Sequence, residues 1–149
     1  MTNVEFADLC AAIRRELESQ EFMRLVGAEV VDVALGEVTL ALDRRAQVLQ
    51  HAGGLFHGGV IAFLVDNATT AAAATHIDHR RQTCLTAEYK LSFLAPAKGD
   101  RLVCKARVLK PGRLLSFVEA KVDCRTGSAD KPTAVALATV AIVDLPKNP

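Results

Sequence analysis

Residues 53–67, Gly-Gly-Leu-Phe-His-Gly-Gly-Val-Ile-Ala-Phe-Leu-Val-Asp-Asn, hold the densest set of chemically useful groups in the chain. His57, Gly58 and Gly59 stand at the mouth of a very apolar helix, and Asp66 is the one carboxylate within it. Glycines ahead of a helix let the backbone bare its N–H groups, and the helix N-terminus is electropositive, so this mouth suits an oxyanion. An ionised carboxylate among Phe63, Leu64, Val65 and Ala68 is costly to bury. A base or nucleophile is one reason to keep it there. A purely structural alternative gives Asp66 a buried backbone N–H or a hydroxyl such as that of Thr70 to bond. On a helical wheel, Asp66 shares its face with Gly59, Ala62, Thr69, Thr70 and Ala73, a stripe of small residues that leaves room for a substrate or a partner helix.

Spacing limits how these groups work together. Eight residues separate Gly58 from Asp66, about 12 Å along the axis at ~1.5 Å per residue. Both cannot touch one reacting carbonyl. If they act on the same substrate, the carboxylate comes from a second subunit, and a two-fold axis setting two such helices antiparallel supplies it. The chemistry therefore predicts an obligate dimer with two composite sites.

The elements that must position these groups follow from periodicity. Residues 4–18 read as an amphipathic helix, with Phe6, Leu9, Cys10 and Ile13 at helical spacing, and a short helix over Glu21–Leu25 ends at Gly27. Val30–Ala34 and Val38–Leu42 form a hairpin about Leu35-Gly36-Glu37. A loop over 44–56 precedes the long helix, which runs from Gly58 to Thr75. Extended segments follow at about 84–94, 101–109, 114–124 and 133–144, with Asp130-Lys131-Pro132 read as the turn before the last. Matching the inward faces of 101–109 and 114–124 pairs even positions with even ones and sets Cys104 opposite Ala120, across a turn at Pro111-Gly112-Arg113. Cys124 then lies roughly 13 Å away at about 3.3 Å per residue, too far for a disulfide. The expected class is α+β: one helix, apolar nearly all round, wrapped by five or six mainly antiparallel strands, with Ala134–Val143 as a central strand. One domain over 1–149 is expected, with an N-terminal helical extension over about 1–26.

Bulk properties exclude several function classes. Half of the 149 residues are hydrophobic and the net charge is +1, so neither disorder nor a strong field for nucleic acid or an anionic membrane is indicated. The first ten residues carry no charged-then-apolar signal pattern, and no apolar tract is long enough to span a bilayer, so a cytoplasmic location is expected. None of Cys10, Cys84, Cys104 and Cys124 forms a Cys-x-x-Cys pair. They read as small buried hydrophobes in a reducing compartment. His76-Ile77-Asp78-His79 reads as a solvated loop after the helix rather than as metal ligands. No Gly-x-Ser-x-Gly elbow supports a serine triad.

The run His57-Gly58-Gly59, then Leu64-Val65-Asp66-Asn67, then Tyr-Lys-Leu-Ser-Phe-Leu-Ala-Pro-Ala-Lys-Gly-Asp over 89–100, resembles the hotdog-fold acyl-CoA thioesterases of the phenylacetate-degradation (PaaI-like) type. The similarity extends from about Phe22 to Val143. It implies a long helix wrapped by an antiparallel sheet, dimers that often pair into tetramers, and acyl-CoA as the substrate, with no metal or redox cofactor. It also implies roles. Gly58 N–H polarises the thioester carbonyl, and Asp66 of the facing subunit attacks the carbon or activates water. Thr86 orients that water, and His57 shapes the oxyanion end. Gly59 and Asn67 fall at substrate-binding positions of the motif, and Lys110, Gly112, Arg113 and Ser116 fall where relatives contact coenzyme A. Six positions before the motif His, this group carries Asn or Gln; here His51 stands there, with Gln50 beside it, and a neutral imidazole can still donate.

Strict alternation puts Leu85, Ala87, Tyr89, Leu91 and Phe93 on one face and Thr86, Glu88 and Lys90 on the other, so Thr86 reaches the site only if that face lines a subunit junction or the strand carries a bulge. Arg80 and Arg81 read equally as phosphate contacts or as ordinary surface charges. Two alternative functions are a hotdog-fold enoyl-CoA hydratase or dehydratase using His57 and Asp66, and an acyl-CoA-binding module without catalysis.

Overall fold

The computed structural model describes residues 3–50 and 53–146. His51 therefore lies outside the described residues. Helix α1 (Asn3–Ser19) buries Ile13 and Leu17, one turn apart on one face. Helix α2 (Glu21–Val26) stops at Gly27, whose φ of 73° is the left-handed cap that glycine adopts without strain. The strands are β1 (Ala28–Ala34), β2 (Glu37–Asp43), β3 (Gln82–Phe93), β4 (Arg101–Lys110), β5 (Leu115–Thr126) and β6 (Ala129–Asp144). They form one antiparallel sheet in the order β1-β2-β4-β5-β6-β3. Helix α3 (Gly58–Ala74) packs against all six strands. Its Ile61, Leu64, Val65, Ala68 and Ala72 meet Leu40 and Leu42 of β2, Leu102 and Cys104 of β4, Val118 and Val122 of β5 and Val140 of β6 in one core. This is the hotdog arrangement, an α+β fold with six strands around a central helix and the N-terminal helices at its flank.

Several local expectations are corrected. Cys104 stands opposite Val122 rather than Ala120, while even positions still pair with even ones from 102 to 108. The register breaks between Val108 and Lys110, and residues 111–114 form a loop longer than the anticipated turn, which together displace the pairing by two residues. All four cysteines are free. The turn before the last strand is at Gly127-Ser128, with Gly127 at φ 57°, and not at Asp130-Lys131-Pro132. Pro132 lies within β6 beside a register shift, beyond the point where β3 ends opposite Ala134, so its missing N–H breaks no ladder there. Asp130 is a strand residue that pairs with Arg125 across the hairpin, and that hydrogen bond holds its carboxyl below the usual range.

β6 is interior, as its apolar run required, but only one strand from the edge. Its outward Leu137 is 52% exposed, so within one chain the two apolar faces are not both covered. The two sheet edges differ. On β1 the register shifts between Val30 and Asp32, and the Arg14 guanidinium of α1 donates to the carbonyls of Val30 and Val31. β3 is a 12-residue edge strand that presents Leu85, Tyr89 and Phe93 to solvent.

Candidate active site

The loop entering α3 is held from three directions. Phe56 N–H donates to Ala97 O (2.9 Å), His57 N–H to Val48 O (2.9 Å), and Gln50 N–H to Leu55 O (2.9 Å). Gly53 and Gly54, at φ 69° and 61°, make the reversal between these bonds. His57 is the N-cap of α3: its backbone is extended and its Nδ1 accepts the Gly59 N–H at 2.9 Å. That bond places the ring proton on Nε2 and uses up the Gly59 donor. Val60 N–H and Ile61 N–H both donate to His57 O and close the first turn. Among the described residues, the Gly58 N–H has no hydrogen-bond partner, so it is the bare donor at the positive end of the helix. A Cβ at Gly58 would come within 3.3 Å of Phe93 Cζ, so the glycine allows β3 to close over the helix mouth.

Two cavities flank this mouth. One, about 490 Å³, has Gly58 and Gln50 at its polar rim and Phe56, Ile61, Phe93 and Pro96 as walls. The other, about 570 Å³, lies beside His57 and Gly59 and is walled by Phe22 and Leu25 of α2 and Val60 and Phe63 of α3. Phe22 meets Phe63 edge-on, with centroids 4.8 Å apart. Leu64, by contrast, is a core residue with no exposure.

Two helical turns on, Asp66 faces β3. Thr86 Oγ donates to Asp66 Oδ1 at 2.6 Å, and Thr70 and Thr86 hydroxyls are 2.7 Å apart. Because an ionised carboxylate only accepts, the proton order in this run is fixed: Thr70 donates to Thr86, and Thr86 to Asp66. Among the described residues Asp66 Oδ2 has no partner, and the strand that holds Oδ1, β3, is an edge of the sheet. The hydroxyl that Asp66 takes is thus that of Thr86, with Thr70 one step behind. Thr69, expected on the same small-residue stripe, is buried and bonds the Val65 and Asp66 carbonyls; Ala73 is buried too.

Thr86 reaches the helix because the strand bulges. The register of β3 against β6 shifts between Thr86 and Glu88, so Ala87 is the extra residue and the facing reverses there. Cys84 and Thr86 turn toward α3 on one side of the bulge, Leu91 and Phe93 on the other. Leu85 does not share a face with Leu91, contrary to strict alternation.

The remaining expected residues scatter around this centre. Asn67 donates to Phe63 O and turns away from Asp66 toward a small cavity shared with α1. Ser116 is buried and its hydroxyl accepts the Gly112 N–H, which ties the 111–114 loop to β5. A Cβ at Gly112 would stand 2.1 Å from Leu115 O, so this loop admits only glycine without moving. Lys110 and Arg113 are exposed at the same end of the sheet. His79 Nε2 bonds Ala74 O at the C-terminal end of α3, and the described residues contain no cluster of three metal-ligating side chains. Thr70 is the functional candidate that sequence reasoning valued only as a structural partner. Its position four residues after Asp66 was the available signal, but which hydroxyl bonds the carboxylate depends on the bulge.

Sequence and structure comparisons give the family and the fold. The family model of the thioesterase superfamily matches residues 53–129, and the chain belongs to that superfamily. It is a thioester hydrolase by family. It is 31% identical over 107 residues to acyl-coenzyme A thioesterase 13 of Homo sapiens, covering 70% of this chain and 74% of that protein. Its fold matches a thioesterase family protein of Silicibacter pomeroyi at TM-score 0.86 and 27% identity, over 93% of this chain and 98% of that one. A thioesterase of Haemophilus influenzae, 17% identical, shares the fold at TM-score 0.80 over 93% of this chain and 92% of that one. No helix among the described residues is long and apolar enough to cross a membrane.

Proposed function

We propose that the protein hydrolyses acyl-CoA to a carboxylic acid and free coenzyme A, in two composite sites of a homodimer joined through β3. The observation that carries this reading is the position of Asp66: locked by Thr86 at the open sheet edge, with its second oxygen unoccupied, two turns from the bare Gly58 N–H. About 12 Å of helix separates the two groups in one chain, so the second subunit must complete each site.

A particular pairing satisfies this need. The bulge at Ala87 turns both Thr86 and Phe93 toward α3. An antiparallel β3–β3 ladder that sets Thr86 opposite Phe93 of the partner subunit therefore keeps inward side chains inward. Phe93 rests on Gly58, so this register carries Gly58 of the partner subunit to Asp66. The two-fold axis then passes at Lys90, with Tyr89 opposite Leu91 of the partner subunit. The pairing also covers a long exposed edge that would otherwise invite aggregation.

In this site the thioester oxygen accepts the Gly58 N–H of the partner subunit, and the helix dipole stabilises the charge that grows there. Asp66 adds to the carbonyl carbon, or takes a proton from the water that adds. The tetrahedral species collapses, the C–S bond breaks, and the thiolate leaves and takes up a proton to give coenzyme A; on the nucleophilic route water then hydrolyses the aspartyl–acyl anhydride, which releases the acid and restores the carboxylate. Thr86, committed to Oδ1, aims Oδ2 at the substrate. Gln50, on the cavity that holds Gly58, is the described candidate for a second oxyanion donor. Only groups of the chain itself are used, so no metal or redox cofactor enters the scheme. Engagement of His57 Nδ1 in the helix cap leaves it poorly placed as the acid–base partner that a hydratase needs.

The outward apolar residues Leu85, Phe117 and Leu137 suit packing of two dimers, and free thiols suit a reducing cytoplasm. The test is Asp66→Asn, which keeps an oxygen for Thr86. Thiol release from acyl-CoA should fall at least ~10³-fold, as for loss of an essential catalytic group, while the dimer persists by light scattering. Turnover near that of the native chain would refute the assignment.

A further inference from the structure

Helix α2 turns an apolar side toward the mouth of α3. Its Met23 is buried, whereas Phe22 and Leu25, three residues apart and so neighbours on the helix surface, are 53% and 70% exposed. The helix is held in place all the same. The Arg45 guanidinium donates to Leu25 O (3.0 Å) and lies against Gly27, where a Cβ would collide with it. Phe22 meets Phe63 of α3 edge-on. A short, anchored helix thus leaves two large hydrocarbon side chains uncovered, on a cavity of about 570 Å³ that adjoins His57 and Gly59.

The chemistry of this cavity is one-sided. Val26, Val48 and Leu49 complete its walls, and no Asp, Glu, Lys or Arg lines it. Its polar side chains are Gln47 and His57, and the helix cap takes up the Nδ1 of His57. A carboxylate or phosphate brought here would lose water without gaining a counter-charge, so the occupant that fits is hydrocarbon. Position separates this cavity from the one beside Gly58. Asp66 and Thr70 bond to β3, and Phe93 of β3 stands over Gly58, so the Gly58 cavity is on the flank where the proposed partner strand arrives. Val60 and Phe63 line the other flank of α3, which α2 of the same chain walls.

Reach sets the length of that occupant. Four residues separate Gly59 from Phe63, about 6 Å at ~1.5 Å per residue. An extended chain advances roughly 1.2 Å per bond, a third of the ~3.6 Å that one residue spans with three bonds. About five bonds therefore carry an acyl chain from the helix mouth to the Phe22–Phe63 pair. We propose that Phe22 and Leu25 of α2, with Val60 and Phe63 of α3, select uncharged hydrocarbon acyl groups of about six to eight carbons. A shorter group leaves the wall of α2 wet, and a longer one runs past Phe22 into solvent with no further burial. Both α2 residues precede the stretch that the family model matches, 53–129, so this selectivity is set outside the shared motif. The inference rests on the reading of Gly58 as donor to the thioester oxygen, but it can fail separately.

The experiment is thiol release from acetyl-, butanoyl-, hexanoyl-, octanoyl- and dodecanoyl-CoA, read as kcat/KM. In the native protein each added methylene should raise kcat/KM about fourfold as far as hexanoyl or octanoyl, with no gain beyond. Leu25→Asp puts a carboxylate into the wall, and Phe22→Ser removes its outer end; both positions are exposed, so the fold tolerates the changes. Each should lower the octanoyl-to-acetyl ratio of kcat/KM at least ~tenfold. Leu94→Asp, in the cavity beside Gly58, should leave that ratio as it is. A native kcat/KM that does not depend on chain length overturns the proposal. So does a ratio that Leu25→Asp leaves unchanged, including by equal loss on both substrates, since α2 would then serve the fold alone. A fall with Leu94→Asp as large as that with Leu25→Asp puts the chain in the other cavity and overturns it too. Retained activity in Asp66→Asn overturns the site reading instead, and the ratios still decide the pocket.

Discussion

Thr86→Val isolates the hydroxyl run beside Asp66. Valine keeps the shape of threonine, so the bulge and the packing on α3 survive, but two hydrogen bonds are lost: the 2.6 Å bond to Asp66 Oδ1 and the 2.7 Å bond from Thr70. A hydrogen bond to a charged group contributes about 1.5–3 kcal/mol, and this one is half-buried, so the lower part of that range applies. At 1.4 kcal/mol per tenfold, kcat should fall by roughly 10–30-fold if Thr86 holds the carboxylate in its working position. Thr70 is left without its acceptor, which adds about 1 kcal/mol to the cost in stability. With ~2–4 °C per kcal/mol for a chain of this size, Tm should drop by about 5–12 °C. The assay is thiol release under saturating acyl-CoA, with thermal unfolding at the same protein concentration. Thr86→Ser restores the hydroxyl and should recover most of both losses. A Thr86→Val protein with kcat within twofold of native, whatever its Tm, would show that the hydroxyl serves folding alone, and the reasoning about Asp66 would fail.

Two further outcomes follow from the edge strand and from the thiols of Cys84 and Cys104. Tyr89→Asp puts a carboxylate into the proposed β3–β3 junction beside the two-fold axis. It should yield a monomer by light scattering and lose thiol release with it, as the proposed composite site requires; an active monomer would refute that site. Burial pushes the Cys104 thiol up to about 12, with Asp123 adding to the effect, and burial followed by Glu16 pushes Cys84 up to about 11. The folded chain therefore keeps protons that the unfolded chain loses from about pH 9. Stability is complete below that pH and declines as pH climbs toward 11–12. The denaturant midpoint should fall between pH 8 and 10.5, and Cys104→Ala should flatten the slope; an unchanged midpoint contradicts the burial effect.

Much of the fold is legible in the residues because the signals are local. The capping pattern His57-Gly58-Gly59 and the uninterrupted apolar run after it mark the start and nature of α3, and each strand announces itself by alternation or by an apolar run. The carboxylate stands out by the same local contrast, a charge among hydrocarbons. Pairing is less legible. A one-residue bulge at Leu109 and another at Ala87 leave no mark in composition, yet the first moves the β4–β5 register and the second turns Thr86 onto the helix. The hairpin at Gly127-Ser128 lost to Asp130-Lys131-Pro132 in the sequence reading because proline is a strong turn signal, and only the strand order shows that β6 has no neighbour on its β3 side at that point.

The sequence by itself determined the central helix, its glycine mouth, its single acid and the eight-residue separation between them, since all of these depend on residue type and on the fixed rise of a helix. Tertiary structure alone decided which hydroxyl holds Asp66, which edge of the sheet stays open and that Arg81 and Arg113 line one cavity. Those facts arise from contacts between segments far apart in the chain, where bulges and loop lengths, rather than side-chain chemistry, set who faces whom.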